Sequence, residues 1–136
     1  MKVLTVGVFD LLHYGHFELF RRCKDLAGED GELVVAVQED DVVRKYKPQA
    51  KLVYDWAKRV KMIEALRYVD KVVPYRDIDE SIKGIDFDVF AIGGDQCHAG
   101  FQRAVKWCEE KGRKVVRLSR TSGISSSEIR AGVISG

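Results

Sequence analysis

The chain has 136 residues, of which 46% are hydrophobic and 32% charged, with a formal net charge of +2. That is enough for one domain around one core and too little for two. The small net charge argues against a general polyanion binder, no apolar run is long enough to cross a bilayer, and no basic patch interleaved with aromatics points to nucleic acid.

Cys23, Cys97 and Cys108 are odd in number and lack metal-like spacing, which suits small apolar residues in a reducing cytoplasm. No signal-type segment follows Lys2, so a cytoplasmic protein is expected.

The apolar run from Val3 reads as a buried parallel strand. It breaks at Gly7, passes Phe9-Asp10 and reaches His13-Tyr14-Gly15-His16, where a helical pattern takes over. A strand feeding a glycine-containing loop and a helix N-terminus is suited to anions, because the first helical N–H groups lack internal partners. Gly15 would let a bulky anion approach the backbone. Taken alone, the histidines also fit a loop that they merely punctuate. A zinc site would need further ligands from His98 or the scattered cysteines.

Phe17, Phe20, Cys23 and Leu26 or Ala27 recur at helical spacing over 17–27, and Gly28 to Gly31 ends the pattern. Residues 33–37 form a second strand, completing a βαβ unit. A short helix over 40–43 leads into the basic stretch 44–51, which contains Pro48 and reads as a mobile loop. A helix over 55–67 buries Trp56, Val60, Ile63 and Leu66, with Arg59 and Arg67 flanking the stripe. A third strand at 69–74 closes on Pro74. Residues 77–83 read as weakly helical. A fourth strand at 87–92 ends at Gly93-Gly94-Asp95-Gln96, a helix over 99–111 follows, and a fifth strand covers 113–118. The alternation predicts a single Rossmann-like, doubly wound α/β domain over 1–136 with a five-stranded parallel sheet. Its ligands should bind outside the carboxyl ends of the strands, where loops 9–16, 93–98 and 119–126 meet.

The last of these loops is a second candidate phosphate cradle. Ser125-x-x-Glu128 is a capping box that starts a helix at Ser125, Ser126 and Ser127 add hydroxyls, and Arg120 offers a planar fork for phosphate oxygens. Two helix N-termini on one crevice, with Lys45, Lys47, Arg59 and Arg120, fit a triphosphate.

These pieces occur together in a known order. Gly7-x-Phe9-Asp10-Leu11-Leu12-His13-x-Gly15-His16, Lys45-x-Lys47, Arg59, Arg67-Tyr68-Val69-Asp70, Gly94-Asp95 and Arg120-Thr121-x-Gly123-Ile124-Ser125-Ser126-Ser127-x-Ile129 span nearly the whole chain. In them the chain resembles the cytidylyltransferases of the HxGH nucleotidyltransferase superfamily, most of all those that act on glycerol 3-phosphate. The resemblance implies transfer of CMP from CTP to a phosphorylated alcohol, releasing pyrophosphate, with Mg²⁺ accompanying CTP and the enzyme a homodimer.

By the same resemblance, His13 and His16 bind the phosphates and stabilise the transition state, with Lys45 and Arg120 also in catalytic positions. Val8, Phe9, Gly15, Gly94, Asp95, Arg120, Thr121, Ser125 and Ser126 lie on the nucleotide, while Lys45, Lys47 and Arg59 hold the phosphorylated substrate. No protein metal ligand is implied. The segment from Arg67 to Asp70 falls to the base site or the dimer contact.

The chain departs from the pattern at three places. Val8 replaces a common Thr. Gly93-Gly94-Asp95-Gln96 replaces Gly-Asp-Asp-Trp and is closer to archaeal FAD synthetases and heptose-phosphate adenylyltransferases. The 45–58 connection is slightly longer. Adenylyl transfer from ATP to FMN or a sugar phosphate is therefore the alternative, and a non-catalytic nucleotide-binding module the second alternative.

Overall fold

Five strands pair in parallel in the order β3-β2-β1-β4-β5: β1 (Lys2–Gly7), β2 (Glu32–Gln38), β3 (Lys71–Tyr75), β4 (Val89–Gly93) and β5 (Lys114–Leu118). This is the expected Rossmann-like sheet. The computed structural model describes residues 1–49, 51–93, 96 and 98–119. The helix expected from Ser125 lies outside these residues.

The strands at the centre are apolar on both sides because both sheet faces are covered. Leu4, Val6, Val34, Ala36, Phe90 and Ile92 face one core, with Ile78, Phe101, Ala104 and Cys108 packed against them. These come from helices α4 (Ile78–Ser81) and α5 (Ala99–Glu110). Val3, Leu33, Val35, Val37, Val89 and Ala91 face the other core, with Phe20, Cys23, Ala27 and Ile63. These come from α1 (Tyr14–Ala27) and α3 (Trp56–Glu64). A short helix, α2 (Asp40–Tyr46), precedes α3, and a 3-10 turn at Ile82–Gly84 follows α4.

β1 and β4 lie side by side, yet their following helices go to opposite faces. The switch point of the sheet is therefore at their carboxyl ends, where such folds bind ligands. Pro74 sits on β3, at the sheet edge, where a missing N–H leaves no interior ladder broken.

Several boundaries differ from the sequence reading. Helix α1 begins at Tyr14, with His13 as its cap and His16 in its first turn. Helix α2 runs through Tyr46, so residues 44–46 are not loop. Its buried Val42 and Val43 anchor it, and Arg44 and Lys45 complement the negative end of its dipole. Helix α3 stops at Glu64, and β3 starts only at Lys71. Burial pushes the thiols of Cys23 and Cys108 up, to about 12 and about 11. Neither is a thiolate at neutral pH, so both serve as apolar side chains; Cys97 lies outside the described residues.

Candidate active site

Helix α1 is capped by histidine in place of the usual serine or aspartate. The Gly15 N–H donates to His13 Nδ1 at 3.0 Å, and the His13 N–H donates to His16 Nδ1 at 3.3 Å. This is a capping box built from two imidazoles. A backbone N–H can only donate, so both Nδ1 atoms must be acceptors. Both rings are therefore neutral, with their protons on Nε2. The rings stack with centroids 3.9 Å apart. Burial, and then the proximity of His13, lower the pKa of His16 to about 4.

Beneath His16 lies Phe9. Its ring meets His16 edge-on at 5.3 Å and Phe20 at 5.2 Å. Phe9 is 6% exposed and holds φ at 53°. Left-handed backbone is rare for a bulky residue and costs on the order of 1–3 kcal/mol, so it persists only where packing imposes it. Gly7 makes room for this ring, because a Cβ there would lie 2.8 Å from Phe9 Cζ.

Two side chains stitch the loop to the connection before α3. Both carboxylate oxygens of Asp10 accept backbone N–H bonds, from Val53 and Tyr54, each at 2.8 Å. Arg59 returns the contact. Its Nη1 donates to Val8 O at 2.8 Å, its Nε to Tyr54 O at 3.2 Å, and its Nη2 to Asp40 at 2.5 Å. Asp40 also accepts the Trp56 N–H at 3.0 Å. Arg59 is fully buried. Expected on the phosphorylated substrate, Arg59 here holds the loop from within. From sequence, an Arg beside a helix's apolar stripe looks like a snorkelling surface residue; the carboxylate and carbonyls waiting for it come from other elements.

The other expected site residues divide into four groups. Val8 and Phe9 belong to the loop, but the Val8 carbonyl serves Arg59 and the Phe9 ring is a wedge under His16. Gly15 lies in the first turn, with its N–H given to His13. Lys45 and Lys47 are exposed at the end of α2, the helix that follows β2. Gly94, Asp95, Arg120, Thr121, Ser125 and Ser126 lie outside the described residues. Three contacts hold described residues that neighbour them in sequence. Gln96 closes back on Gly93, accepting its N–H at 3.0 Å, and Arg117 Nη1 donates to Gln96 O at 3.2 Å. On α1, Arg22 Nη1 donates to Ser119 O at 2.9 Å. The end of β5 is thus held against the helix that begins with the histidines.

A cavity of about 160 Å³ opens beside the imidazoles, lined by Leu12, His13, Tyr14, His16, Phe17 and Leu66. The pattern reading missed Asp10, Asp40 and Arg59 as tethers. It also missed the cap at His98, whose Nδ1 accepts the Gly100 N–H at 3.2 Å and so repeats the His-x-Gly device at α5. The repeated triplet was the available signal.

The chain is similar to known proteins over most of its length. A family model described as cytidylyltransferase-like matches residues 4–132. A glycerol-3-phosphate cytidylyltransferase of Staphylococcus aureus is 37% identical over 133 residues, covering 95% of this chain and 92% of the relative. An FAD synthase of Korarchaeum cryptofilum is 38% identical over 140 residues, covering 98% and 91%. The crystal structure of a lipopolysaccharide core biosynthesis protein from Thermoplasma volcanium superposes with a TM-score of 0.74 at 28% identity, covering 90% of this chain and 98% of that one.

Two outcomes follow from the packing. Gly7→Ala displaces the Phe9 ring and lowers stability in urea unfolding by about 1–3 kcal/mol, the usual cost of overpacking; an unchanged midpoint contradicts the wedge. His16 is also a pH sensor of stability. Its folded pKa lies below the unfolded value, so the unfolded chain takes up the proton first and stability falls as pH drops from 6.5 toward 4. The loss is on the order of 2–3 kcal/mol. His16→Gln removes that part of the acid slope in denaturant titrations at pH 7 and pH 4.5; an identical slope in both proteins excludes it.

Proposed function

The chain belongs to the cytidylyltransferase-like family and is an enzyme of cytidylyltransferase type, and from that premise we propose that it transfers CMP from CTP to a phosphorylated alcohol such as glycerol 3-phosphate. The observation that carries the reading is the pair of neutral imidazoles at the sheet's switch point, each with its proton on Nε2. Such groups donate to oxyanions and move no proton at neutral pH.

The acceptor's phosphate is mostly dianionic near neutrality, its second pKa being about 6, so no general base is required. One of its oxygens attacks the α-phosphorus in line. The new O–Pα bond forms as the Pα–O–Pβ bond breaks, and pyrophosphate leaves with the electron pair. Catalysis is then positioning and charge stabilisation. His13 and His16 donate to oxygens at the reacting phosphorus. Lys45 and Lys47 reach the acceptor and α-phosphates from α2. Arg120, Thr121, Ser125 and Ser126 take the β- and γ-phosphates. Gly94 and Asp95 lie against the nucleoside.

Among the described residues there is no group of three His, Cys, Asp or Glu side chains placed to hold a metal, and both Asp10 oxygens are engaged by backbone N–H groups. Mg²⁺ therefore fits as a companion of the triphosphate, where it offsets phosphate charge. No helix among the described residues is long and apolar enough to cross a membrane, and a cytoplasmic location accords with two inert buried thiols. Exposed Tyr14 and Phe17, the latter packed on Tyr68 at 5.4 Å, give a second copy an apolar surface for a homodimer.

Adenylyl transfer from ATP to FMN is the second reading. The FAD synthase of Korarchaeum cryptofilum favours it, being as similar as the glycerol-phosphate enzymes. Pyrophosphate release with CTP and with ATP, each against glycerol 3-phosphate, FMN and a sugar phosphate, decides between them. The expected result is release with CTP and a phosphorylated alcohol. Release only with ATP establishes the second reading, and nucleotide bound without release identifies a non-catalytic module. In the active pair, His16→Ala lowers kcat by about two orders of magnitude or more, the scale of a lost transition-state donor; unchanged turnover rejects the role.

A further inference from the structure

Helix α2 has seven residues, too few to hold its shape unaided, yet it carries Lys45 and leads into Lys47. Its two ends are fastened to the same short segment beyond β3. At the N-terminal end, Arg76 donates Nη1 to Glu39 at 2.7 Å and grips Asp41 with both nitrogens, at 3.1 and 2.7 Å. The backbone reinforces this, since the Glu39 N–H donates to Tyr75 O at 3.0 Å and Gln38 Nε2 to Arg76 O at 3.0 Å. At the other end the Tyr46 hydroxyl donates to Asp77. Lys45 Nζ lies 5.4 Å from the centre of the Tyr46 ring. The neighbouring acid, Asp79, is paired with Arg103 of α5 at 2.7 Å.

Exposed ion pairs contribute little one at a time. A bidentate grip at one end and a hydrogen bond at the other still determine how the helix leaves the sheet. We propose that Tyr46 and Asp77 are positioning residues: their hydrogen bond fixes the end of α2 from which Lys45 and Lys47 reach the phosphates. This rests on the role given to those lysines above.

Tyr46→Phe removes only the hydroxyl and keeps the ring beside Lys45. On the full chain, with the nucleotide and acceptor pair that turns over, KM for the acceptor rises about fivefold while kcat stays within about twofold, the scale of one lost hydrogen bond. Amide exchange in residues 43–47, including the Lys47 N–H bonded to Val43 O, speeds about fivefold with the unfolding midpoint unmoved. Lys45→Ala raises KM as well, and adding Tyr46→Phe to it raises KM by less than about fivefold, the part that acts through Lys47. Unchanged exchange in Tyr46→Phe overturns the proposal without any turnover assay. Faster exchange with unchanged KM, where Lys45→Ala does raise KM, overturns the positioning role and leaves the lysines' role standing. Unchanged KM in Lys45→Ala removes that role, and the proposal with it.

Discussion

Two backbone N–H groups donating into two imidazoles organise the candidate site of this molecule. The first turn of any helix leaves N–H groups without partners. In α1 the His13 ring takes up the Gly15 N–H, and the His16 ring takes up the N–H of His13 itself. A serine or glutamate cap would satisfy the backbone equally well. An imidazole cap does more, because accepting at Nδ1 forces the proton onto Nε2. Capping and the preparation of a donor are one act.

The surrounding structure keeps that arrangement rigid. Burial disfavours a charge on His16, and Phe9, held in a left-handed conformation over Gly7, supports its ring. The loop on which Phe9 sits is bound from both directions, by Asp10 reaching outward to two amides and by buried Arg59 reaching inward to a carbonyl. A strained residue, a buried carboxylate and a buried guanidinium each carry a cost. Meeting at one loop, they offset one another through shared partners, and the loop gains a single geometry.

Much of the architecture was legible in the sequence. Continuous apolar runs at β1, β2 and β4 announced strands covered on both faces, and the first helical stripe named the core at Phe20, Cys23 and Ala27, while its Phe17 is exposed. Pairing His13-x-Gly15-His16 with the Arg120 to Ser127 segment pointed to the family, which the comparisons bear out. What pattern reading could not supply was partnership across long separations. Arg59 was assigned to the substrate and not to the loop because nothing local reveals that Val8, Tyr54 and Asp40 converge on it. The capping role of His13 was hidden because an imidazole at a cap is outside the usual serine, threonine, aspartate and asparagine vocabulary.

Imidazole nitrogen NMR reads the protonation of the His13 and His16 rings directly. Two-bond nitrogen–proton correlations at pH 7 should show His13 and His16 both as the neutral Nε2–H tautomer, with His16 unchanged down to about pH 5. A Nδ1–H tautomer at either ring, or a His16 titration near 6.5, would contradict it.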